Sequence, residues 1–305
     1  MDRRKFLYSL GTGALTIASL SSFTKKTEFQ KLTVLHTNDT HSHIDPFPVN
    51  DRKYPNKGGV NRRKALVDSI RQTEDEVLLL DAGDIFQGTP YFNMYGGEIE
   101  FKVMSAIGYD AATIGNHDFD GGIDGFNKVL PLANFPFICS NYDFKDTVLN
   151  QKTIPFKIFR KGKLKIGVFG VGVELDGLVS KNLYKDTVYL NPIKQAQKYA
   201  DILKNDYKCN LVICLSHLGY FAKLNDMCDT VLAKETSNID LIIGGHTHTF
   251  LDKPEMHKNK NGKAVLINQV GWAGIMLGRV DFYFDKQGDP DLWASMTLPT
   301  NSMIG

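Results

Sequence analysis

Short runs of apolar and β-branched residues alternate with helix-like patterns along most of the chain. The runs that predict strands are 32–36, 77–80, 111–114, 137–140, 164–171, 211–215, 241–243 and 264–269. Helical spacing relates Leu66, Val67 and Ile70, and a second helix is predicted directly after Asn191-Pro192. Over residues 271–298 the pattern predicts consecutive strands, with a turn at 287–290. This order predicts an α/β layered domain with mixed sheets.

The composition is that of an ordinary globular protein. The chain has 305 residues, of which 42% are hydrophobic and 23% are charged, and its formal net charge is +2. These values exclude a disordered chain, a coiled coil and a polytopic membrane protein. The small net charge indicates no nucleic-acid partner. Four cysteines without metal-ligand spacing predict neither a disulfide framework nor a catalytic thiol, and whether any disulfide forms stays open.

The first 28 residues have the layout of an export signal. Arg3-Arg4-Lys5 opens a moderately apolar stretch that is rich in Gly, Ser and Thr and reaches about Phe23. The arginine pair followed by Phe6-Leu7 resembles the twin-arginine motif. Residues 1–28 are therefore predicted to be a twin-arginine-type signal peptide, residues 29–305 a catalytic domain, and the location a bacterial periplasm. The alternative is a membrane tether by an uncleaved signal, although the stretch is short for a stable membrane span.

Five of the predicted strands end in polar residues that can bind metal. Their sequences are KLTVLHTNDTHSH, VLLLDAGD, AATIGNHDFD, LVICLSHLG and LIIGGHTH. Glycines precede several of these polar groups, namely Gly83, Gly115, Gly244 and Gly245, and allow the backbone to approach closely. Because open α/β sheets bind ligands beyond the carboxyl ends of their strands, we expect the five ends to converge on one rim.

The polar groups at these ends are carboxylates, one amide and several imidazoles. Seven of the eight histidines lie in or beside the five blocks, and His257 is assigned to ordinary surface. A spacing of two places Asp39 and His41 on one side of an extended backbone, and His246 and His248 repeat it. Imidazoles and carboxylates without thiolate favour Zn, Mn or Fe over Mg or Ca. Since one ion needs fewer ligands, we expect two divalent ions that share a bridging carboxylate.

The order of the blocks carries a family resemblance. The blocks are Asp39-x-His41, Gly83-Asp84, Gly115-Asn116-His117-Asp118, His217 and Gly245-His246-x-His248. They resemble the calcineurin-like metallophosphoesterases, and LHTNDTHSH, DAGDIFQGTP and GNHDFD look like the 5′-nucleotidase branch. The resemblance covers residues 32 to about 285. It implies an α/β fold that is a four-layer αββα sandwich of mixed sheets.

The resemblance also implies a role for each site residue. One metal ion would be held by Asp39, His41 and His248, the other by Asn116, His217 and His246, and Asp84 would bridge the two. His117, paired with Asp120, would protonate the leaving oxygen or stabilise its developing charge. A hydroxide bridging the ions is the expected nucleophile that attacks phosphorus. Four neighbouring residues are predicted to be structural or to orient the site, and not to bind metal: Asp118, His36, His43 and Asp81.

The expected activity is hydrolysis of a phosphate ester, most simply a nucleoside 5′-phosphate. Alternatives within the superfamily are a nucleotide-sugar hydrolase, a cyclic-nucleotide phosphodiesterase and a thiosulfate-ester hydrolase. A non-catalytic metal-binding subunit is the alternative of another class, and the pair His117 and Asp120 argues against it. Proteins that look like full-length 5′-nucleotidases carry a second domain with much of the substrate pocket, whereas this sequence ends at Gly305. One expectation is therefore a separately encoded substrate-binding chain, and another is a broader phosphoesterase with an open site.

Overall fold

The computed structural model describes residues 30–221 and 227–301. Its strands are β1 (Gln30–Thr37), β2 (Val77–Asp81), β3 (Ala111–Ala112), β4 (Tyr142–Asp143), β5 (Phe156–Lys161), β6 (Leu164–Gly172), β7 (Val188–Tyr189), β8 (Leu211–His217), β9 (Leu241–Gly244), β10 (Glu255–Lys258), β11 (Ala264–Asn268), β12 (Met276–Phe284) and β13 (Pro290–Pro299). Its α-helices are α1 (Val60–Thr73), α2 (Pro90–Tyr95), α3 (Glu98–Ile107), α4 (Gly122–Val129), α5 (Lys181–Tyr184), α6 (Pro192–Asp201) and α7 (Asp229–Glu235). The signal peptide predicted at residues 1–28 lies outside the described residues.

Two mixed sheets form the centre of the domain. The first has five strands in the order β13-β12-β1-β2-β3, and the second has six in the order β10-β11-β9-β8-β6-β5. Strands β1, β2 and β3 run parallel, as do β6, β8, β9 and β11, while the outer strands are antiparallel. A small third sheet pairs β4 with β7. The parallel strands bring their carboxyl ends together at the edge of each sheet.

Alternate side chains of the central strands face different layers of the domain. Leu78 and Leu80 of β2 lie in one buried apolar cluster with Ile213 of β8, so the two sheets pack face to face. Leu79 faces the other way, into a cluster with α1, α3 and α4. Val212 of β8 likewise packs toward α6 and α7. Full burial of such a side chain stabilises the fold by about 1.5–3 kcal/mol. The result is the αββα sandwich of mixed sheets that the sequence predicts.

Most predicted elements are confirmed, and one predicted strand is wrong. The runs starting at 32, 77, 164, 211, 241 and 264 form β1, β2, β6, β8, β9 and β11. The run at 111–114 forms only the two-residue β3, and the run at 137–140 makes isolated bridges. Its backbone amides donate to three separate segments instead: Ile138 N to Ala112 O at 2.8 Å, Cys139 N to Ile154 O at 2.9 Å and Ser140 N to Gly170 O at 2.7 Å.

Both predicted helices form. Asn191 caps α6, because its side chain accepts a hydrogen bond from Lys194 N, and Pro192 occupies the first turn. The helix then continues as a π-helical turn over Ile202–Asp206. Helices α2, α3, α4, α5 and α7 and the edge strands β5 and β10 were not predicted from the sequence. Helices α3 and α4 nevertheless bury apolar faces that include Phe101, Met104 and Phe126, whereas α2 and β10 bury no residue. Within residues 30–221 and 227–301, no helix is long and apolar enough to cross a membrane.

Candidate metal centre

The loops that follow β1, β2, β3 and β9, and the end of β8, meet in one place. Asp39 and His41 follow β1, Asp84 follows β2, and His217 is the last residue of β8. The remaining predicted site residues follow β3 and β9, and they are Asn116, His117, Asp120, His246 and His248. The backbone amide of His246 donates to both carboxylate oxygens of Asp39 at 3.0 Å, which joins the two sheets at this rim.

One group of possible ligand atoms comprises Asp39, His41 and His248. One ligand atom from each residue lies within 4.8 Å of the others. Nε2 of His41 lies 2.9 Å from Nε2 of His248, and Nε2 of His248 lies 3.4 Å from Oδ1 of Asp39. Nδ1 of His41 lies 2.9 Å from the carbonyl of Phe86. A hydrogen bond from Nδ1–H to that carbonyl directs the lone pair of Nε2 toward the other two residues.

A second group comprises Asp84, His217 and His246, with ligand atoms again within 4.8 Å of one another. Nε2 of His217 lies 3.0 Å from Oδ2 of Asp84, while its Nδ1 lies 2.8 Å from the carbonyl of Ala82. The amide oxygen of Asn116 lies 2.8 Å from Nδ1 of His246. Four of the predicted site residues thus surround one point.

Asp84 lies between the two groups. Its Oδ2 is 3.0 Å from Nε2 of His217 in the second group and 3.9 Å from Nε2 of His41 in the first. Its side chain is buried, and its Oδ1 accepts a hydrogen bond from the backbone amide of His117 at 2.8 Å. A carboxylate in this position can contact ions in both groups.

His117 stands at the open side of the centre. Its Nδ1 is 3.0 Å from Oδ2 of Asp120, and the side chain is 32% exposed, so it can reach a substrate. The ring lies 5.3 Å from that of His41, edge to face. Because Asp120 occupies the Nδ1 side, Nε2 is the atom free to hold or deliver a proton. Burial opposes the charged imidazole, but the hydrogen bond to Asp120 and the charge of Asp84 raise the pKa of His117 above its usual value.

The buried carboxylate of the second group favours a positive charge beside it. Burial alone would lower the pKa of His217, but the carboxylate of Asp84 outweighs it and raises the pKa to about 10. Burial would raise the pKa of Asp84, yet His217 and His41 lower it below its usual range. Burial, assisted by the charge of His217, lowers the pKa of His246 to about 4. A proton on His217 therefore balances Asp84, and a bound cation would displace that proton.

These residues fit a pair of divalent ions. Nε2 of His217 is buried and makes no hydrogen bond, although Oδ2 of Asp84 lies 3.0 Å from it. The donor set is imidazole nitrogen, carboxylate oxygen and one amide oxygen, which suits Zn, Mn or Fe. The two Nδ1 atoms that face carbonyls, in His41 and His217, show the orientation typical of metal-binding histidines.

The expectation of extended backbone at the paired ligands is wrong. Five of the predicted ligands have left-handed backbone: Asp39 (φ 50°), His41 (φ 45°), Asp84 (φ 56°), His246 (φ 71°) and His248 (φ 52°). Such angles are uncommon outside glycine and cluster at functional sites. The side chains converge because each loop turns sharply after its strand. The alternation of an extended strand does not account for the convergence.

The close approaches predicted at Gly83, Gly115, Gly244 and Gly245 are all confirmed, and two of them lie directly beside predicted ligands. A Cβ at Gly115 would lie 2.2 Å from Oδ1 of Asp84, and one at Gly245 would lie 2.7 Å from Nδ1 of His217. Real Cβ atoms do not approach so closely, so only glycine lets these loops pass beside the ligands.

Asp118 is buried beneath the centre. Its carboxylate accepts hydrogen bonds from backbone amides and from none of the predicted ligand side chains. Its Oδ1 accepts from the amides of Ile85 (2.9 Å) and Phe86 (3.2 Å), and its Oδ2 from those of Asp84 (3.1 Å) and Gly115 (2.8 Å). One side chain therefore ties the β2 loop to the β3 loop. The carboxylate shapes the turn that presents Asp84.

The other residues that the sequence analysis left outside the ligand set lie around the centre. His36 is fully buried, its Nε2 is 2.9 Å from Nδ2 of Asn268, and burial lowers its pKa to about 3. His43 stacks on Phe47 with ring centroids 5.0 Å apart. Asp81 accepts from Thr37 Oγ1 at 2.6 Å. His257, assigned to ordinary surface, is half-buried on the edge strand β10.

Sequence analysis missed a sixth loop, residues 269–273 after β11, here called the β11 loop. Its Gln269 is fully buried, and its side-chain oxygen accepts from Thr247 Oγ1 at 3.0 Å and from Thr249 N. The Gln269 amide donates to the carbonyl of Gly245. Gln269 thus holds both sides of the segment that carries His246.

The β11 loop also contacts the first ligand group. Trp272 stacks on His248 with ring centroids 5.6 Å apart and planes 6° apart, and the Ala273 amide donates to the Asp39 carbonyl at 2.7 Å. The sequence carries a signal for this loop, because β11 also ends in polar residues followed by Gly271. It was overlooked because residues 269–273 contain no histidine or carboxylate, the side chains that mark the other five strand ends.

Comparison with known proteins agrees with this geometry. The family model described as calcineurin-like phosphoesterase matches residues 32–250. A snake venom 5′-nucleotidase from Gloydius brevicauda is 32% identical over 279 residues, an alignment that covers 85% of this chain and 46% of the venom protein. The chain therefore spans about half the length of the curated relatives it matches.

Solved structures give the same result. A 5′-nucleotidase precursor from Thermus thermophilus superposes with a TM-score of 0.80 at 32% identity, covering 88% of this chain and 54% of that one. The NAD nucleotidase of Haemophilus influenzae superposes with a TM-score of 0.77 at 27% identity, covering 89% of this chain and 57% of that one. Since the family model matches well over half of the 305 residues, the chain belongs to the calcineurin-like phosphoesterase family.

Proposed function

We propose that this protein is a dinuclear metal-dependent phosphoester hydrolase of the 5′-nucleotidase type. One observation carries the proposal: two groups of ligand atoms meet at the single buried carboxylate of Asp84, beside an exposed imidazole paired with Asp120. A purely structural metal site has no use for that pair. The catalytic role of His117 and the metal roles of the other residues are proposed together as one site.

Each ligand has an assigned ion. Asp39, His41 and His248 would hold one ion, and Asn116, His217 and His246 would hold the other, with Asp84 contacting both. When bound, two divalent ions supply Lewis-acid stabilisation of the phosphoryl oxygens and lower the pKa of water for attack on phosphorus. Zn, Mn and Fe are the proposed candidates, because the donor set combines imidazole with carboxylate.

The chain's own groups prepare the departure of the leaving group. Asp120 holds the His117 ring in one orientation and favours its charged form. His117 Nε2 would then donate a proton to the leaving oxygen, or stabilise its developing negative charge. A positioned acid of this kind typically contributes about 10²–10⁴-fold to the rate.

The proposed substrate is a nucleoside 5′-phosphate. Its support is that relatives above 30% identity carry the name 5′-nucleotidase. A hydrolase of a nucleotide anhydride is the second candidate, because one structural neighbour is titled NAD nucleotidase. Cyclic-nucleotide and thiosulfate-ester hydrolysis stay as alternatives, as does a non-catalytic metal-binding subunit. Export to a periplasm and a separately encoded substrate-binding chain also stay predictions from the sequence.

The test is turnover by protein loaded with Mn²⁺ or Zn²⁺ on AMP, UDP-glucose, a 2′,3′-cyclic nucleotide and an aryl phosphate. Preference for AMP supports the 5′-nucleotidase assignment, and preference for UDP-glucose replaces it with the second candidate. Asp84→Ala should lose both ions, whereas His117→Asn should keep both and lose turnover. A metal-loaded protein that hydrolyses none of the four substrates would favour the non-catalytic subunit.

A further inference from the structure

A cavity of about 450 Å³ opens beside the predicted ligand His246. One wall is the turn His246-Thr247, which belongs to the candidate metal centre. The lining also includes Leu178 and Phe221, whose exposed fractions are 54% and 59%. Large apolar side chains exposed around a concave surface are typical of a ligand site. Cavities that bind small molecules have volumes of about 300–1,000 Å³, so this cavity suffices for one ring system.

The remaining lining gives the cavity a chemical preference. Tyr189 and Met227 are half-buried and add apolar surface, while Glu174 and Asp176 contribute exposed carboxylates. Burial, followed by the charge of Glu174, raises the pKa of Tyr189 to about 12, so the phenol stays neutral. Carboxylates accept hydrogen bonds from hydroxyl and amino groups and repel a second anion.

A different cavity, of about 580 Å³, serves as a comparison. It is lined by His43, Phe47, Tyr91, Met94 and Tyr95, among others, and it too exposes apolar side chains, with Met94 72% exposed. None of its lining residues is a predicted metal ligand. Continuity with the centre therefore distinguishes the cavity beside His246.

We propose that the cavity beside His246 binds the leaving group of the phosphoester substrate. The leaving group that fits is a flat, largely apolar ring system with hydrogen-bond donors and no negative charge of its own. This inference rests on the proposed function, because it requires phosphorus to react at the metal centre. It assigns Leu178, Phe221, Glu174 and Asp176 as specificity-determining residues.

The experiment compares phenyl phosphate, 3-carboxyphenyl phosphate and methyl phosphate with the metal-loaded full chain. The wild type should prefer phenyl phosphate to its carboxylated analogue. Glu174→Gln with Asp176→Asn should shift that ratio of kcat/KM toward the anionic substrate by about 3–10-fold, the effect expected for two solvent-exposed charges. Leu178→Ser with Phe221→Ser should raise KM for phenyl phosphate by about 5–30-fold and leave methyl phosphate unchanged.

The matched control is Met94→Ser with Tyr95→Ser in the comparison cavity, which should change none of these ratios. If wild type and control hydrolyse the esters but both cavity variants keep the wild-type ratios, the leaving-group assignment is wrong. If no ester is hydrolysed by metal-loaded wild type, the proposed function itself fails. If a cavity variant loses bound metal or folds poorly, the wild type alone tests the proposal through its ratio of kcat/KM for phenyl phosphate to that for 3-carboxyphenyl phosphate. Equal turnover of these two esters by wild type contradicts the proposal.

Discussion

Replacing Asp118 by Asn tests whether one buried carboxylate shapes the metal centre. The two oxygens of Asp118 accept four backbone hydrogen bonds, two each. An Asn amide offers one oxygen and one NH₂ group. The oxygen can keep either the pair from Ile85 and Phe86 or the pair from Asp84 and Gly115. The NH₂ group then faces two N–H donors, and neither of them finds an acceptor.

The expected cost follows from that count. Each buried donor left without an acceptor costs about 1–3 kcal/mol, so two cost about 2–6 kcal/mol in free energy of unfolding. The free energy of unfolding of a native domain is about 5–15 kcal/mol, so the loss is large but the variant should still fold. Metal affinity should also fall, because the amide of Asp84 is one of the affected donors.

The assay is urea unfolding of wild type and variant, with and without added Mn²⁺ or Zn²⁺, followed by circular dichroism. Burial and then the charge of Asp84 raise the pKa of Asp118 to about 7, so the comparison is made near pH 8.5, where wild type carries the carboxylate. Asp120→Asn is the matched control, since Asp120 is 30% exposed and faces only His117 in this motif. It should unfold within about 0.5 kcal/mol of wild type, as surface substitutions do.

The reasoning is refuted if the free energy of unfolding of Asp118→Asn lies within about 1 kcal/mol of the wild-type value at unchanged denaturant slope. Two unpaired donors are expected to cost at least about 2 kcal/mol. If the variant is destabilised but binds metal as wild type does, the cost of the unpaired donors is supported, and the expected effect on metal affinity through the Asp84 amide is wrong. Equal losses in Asp118→Asn and the control would mean that negative charge matters and the bonding pattern does not.

Three further changes probe the same rim. Gly115→Ala should displace the Asp84 carboxylate, since the new Cβ would lie 2.2 Å from it, and bound metal measured by mass spectrometry should fall. Gly125→Ala, with open space around it, should leave bound metal unchanged. Activity should fall as the pH rises through the raised pKa of His117, because the imidazole loses its proton. Asp120→Asn should move this fall in activity to lower pH. If the fall does not move, it belongs to the titration of another group. Gln269→Ala should lower metal affinity about 10–100-fold, as loss of a residue that orients ligands does, and unchanged affinity would contradict its role.

The sequence was sufficient to predict which residues come together at the rim, because the residue types that can bind metal are concentrated at strand ends. The apolar runs predicted at 211–215 and 241–243 form β8 and β9, and in the structure these strands extend slightly further, to His217 and Gly244. Period-two alternation within such buried runs also predicts which side chains face the other sheet. The segment at 137–140 has the same composition, yet it forms no ladder, because its backbone amides are taken up by residues such as Ile154 and Gly170. Local pattern carries no information about which partner a backbone group meets.

The β11 loop shows a second limit of sequence reasoning. Gln269 and Trp272 contribute through where they lie, against Thr247 and against the face of His248. Unlike Asn116, which adjoins His117 and Asp118, neither residue has an imidazole or a carboxylate beside it in the sequence, so residue type alone does not single it out. Only the parallel pairing of β11 with β9 brings this loop beside the ligands.

Backbone strain links the fold to the chemistry of the centre. Left-handed backbone at a residue other than glycine costs about 1–3 kcal/mol and persists only where surrounding contacts over-determine it. Those contacts come from the protein: the Asp39 amide donates to Gly83 O at 2.9 Å, the Asp84 amide to Asp118, and the His246 amide to Asp39. Each bond joins two different loops, so no loop can relax without disturbing another. The ligand side chains are therefore held in place by the fold, and metal binding need not order them. For that reason changes at Asp118 or Gln269, which touch no ion, are expected to alter metal affinity as surely as changes to the ligands.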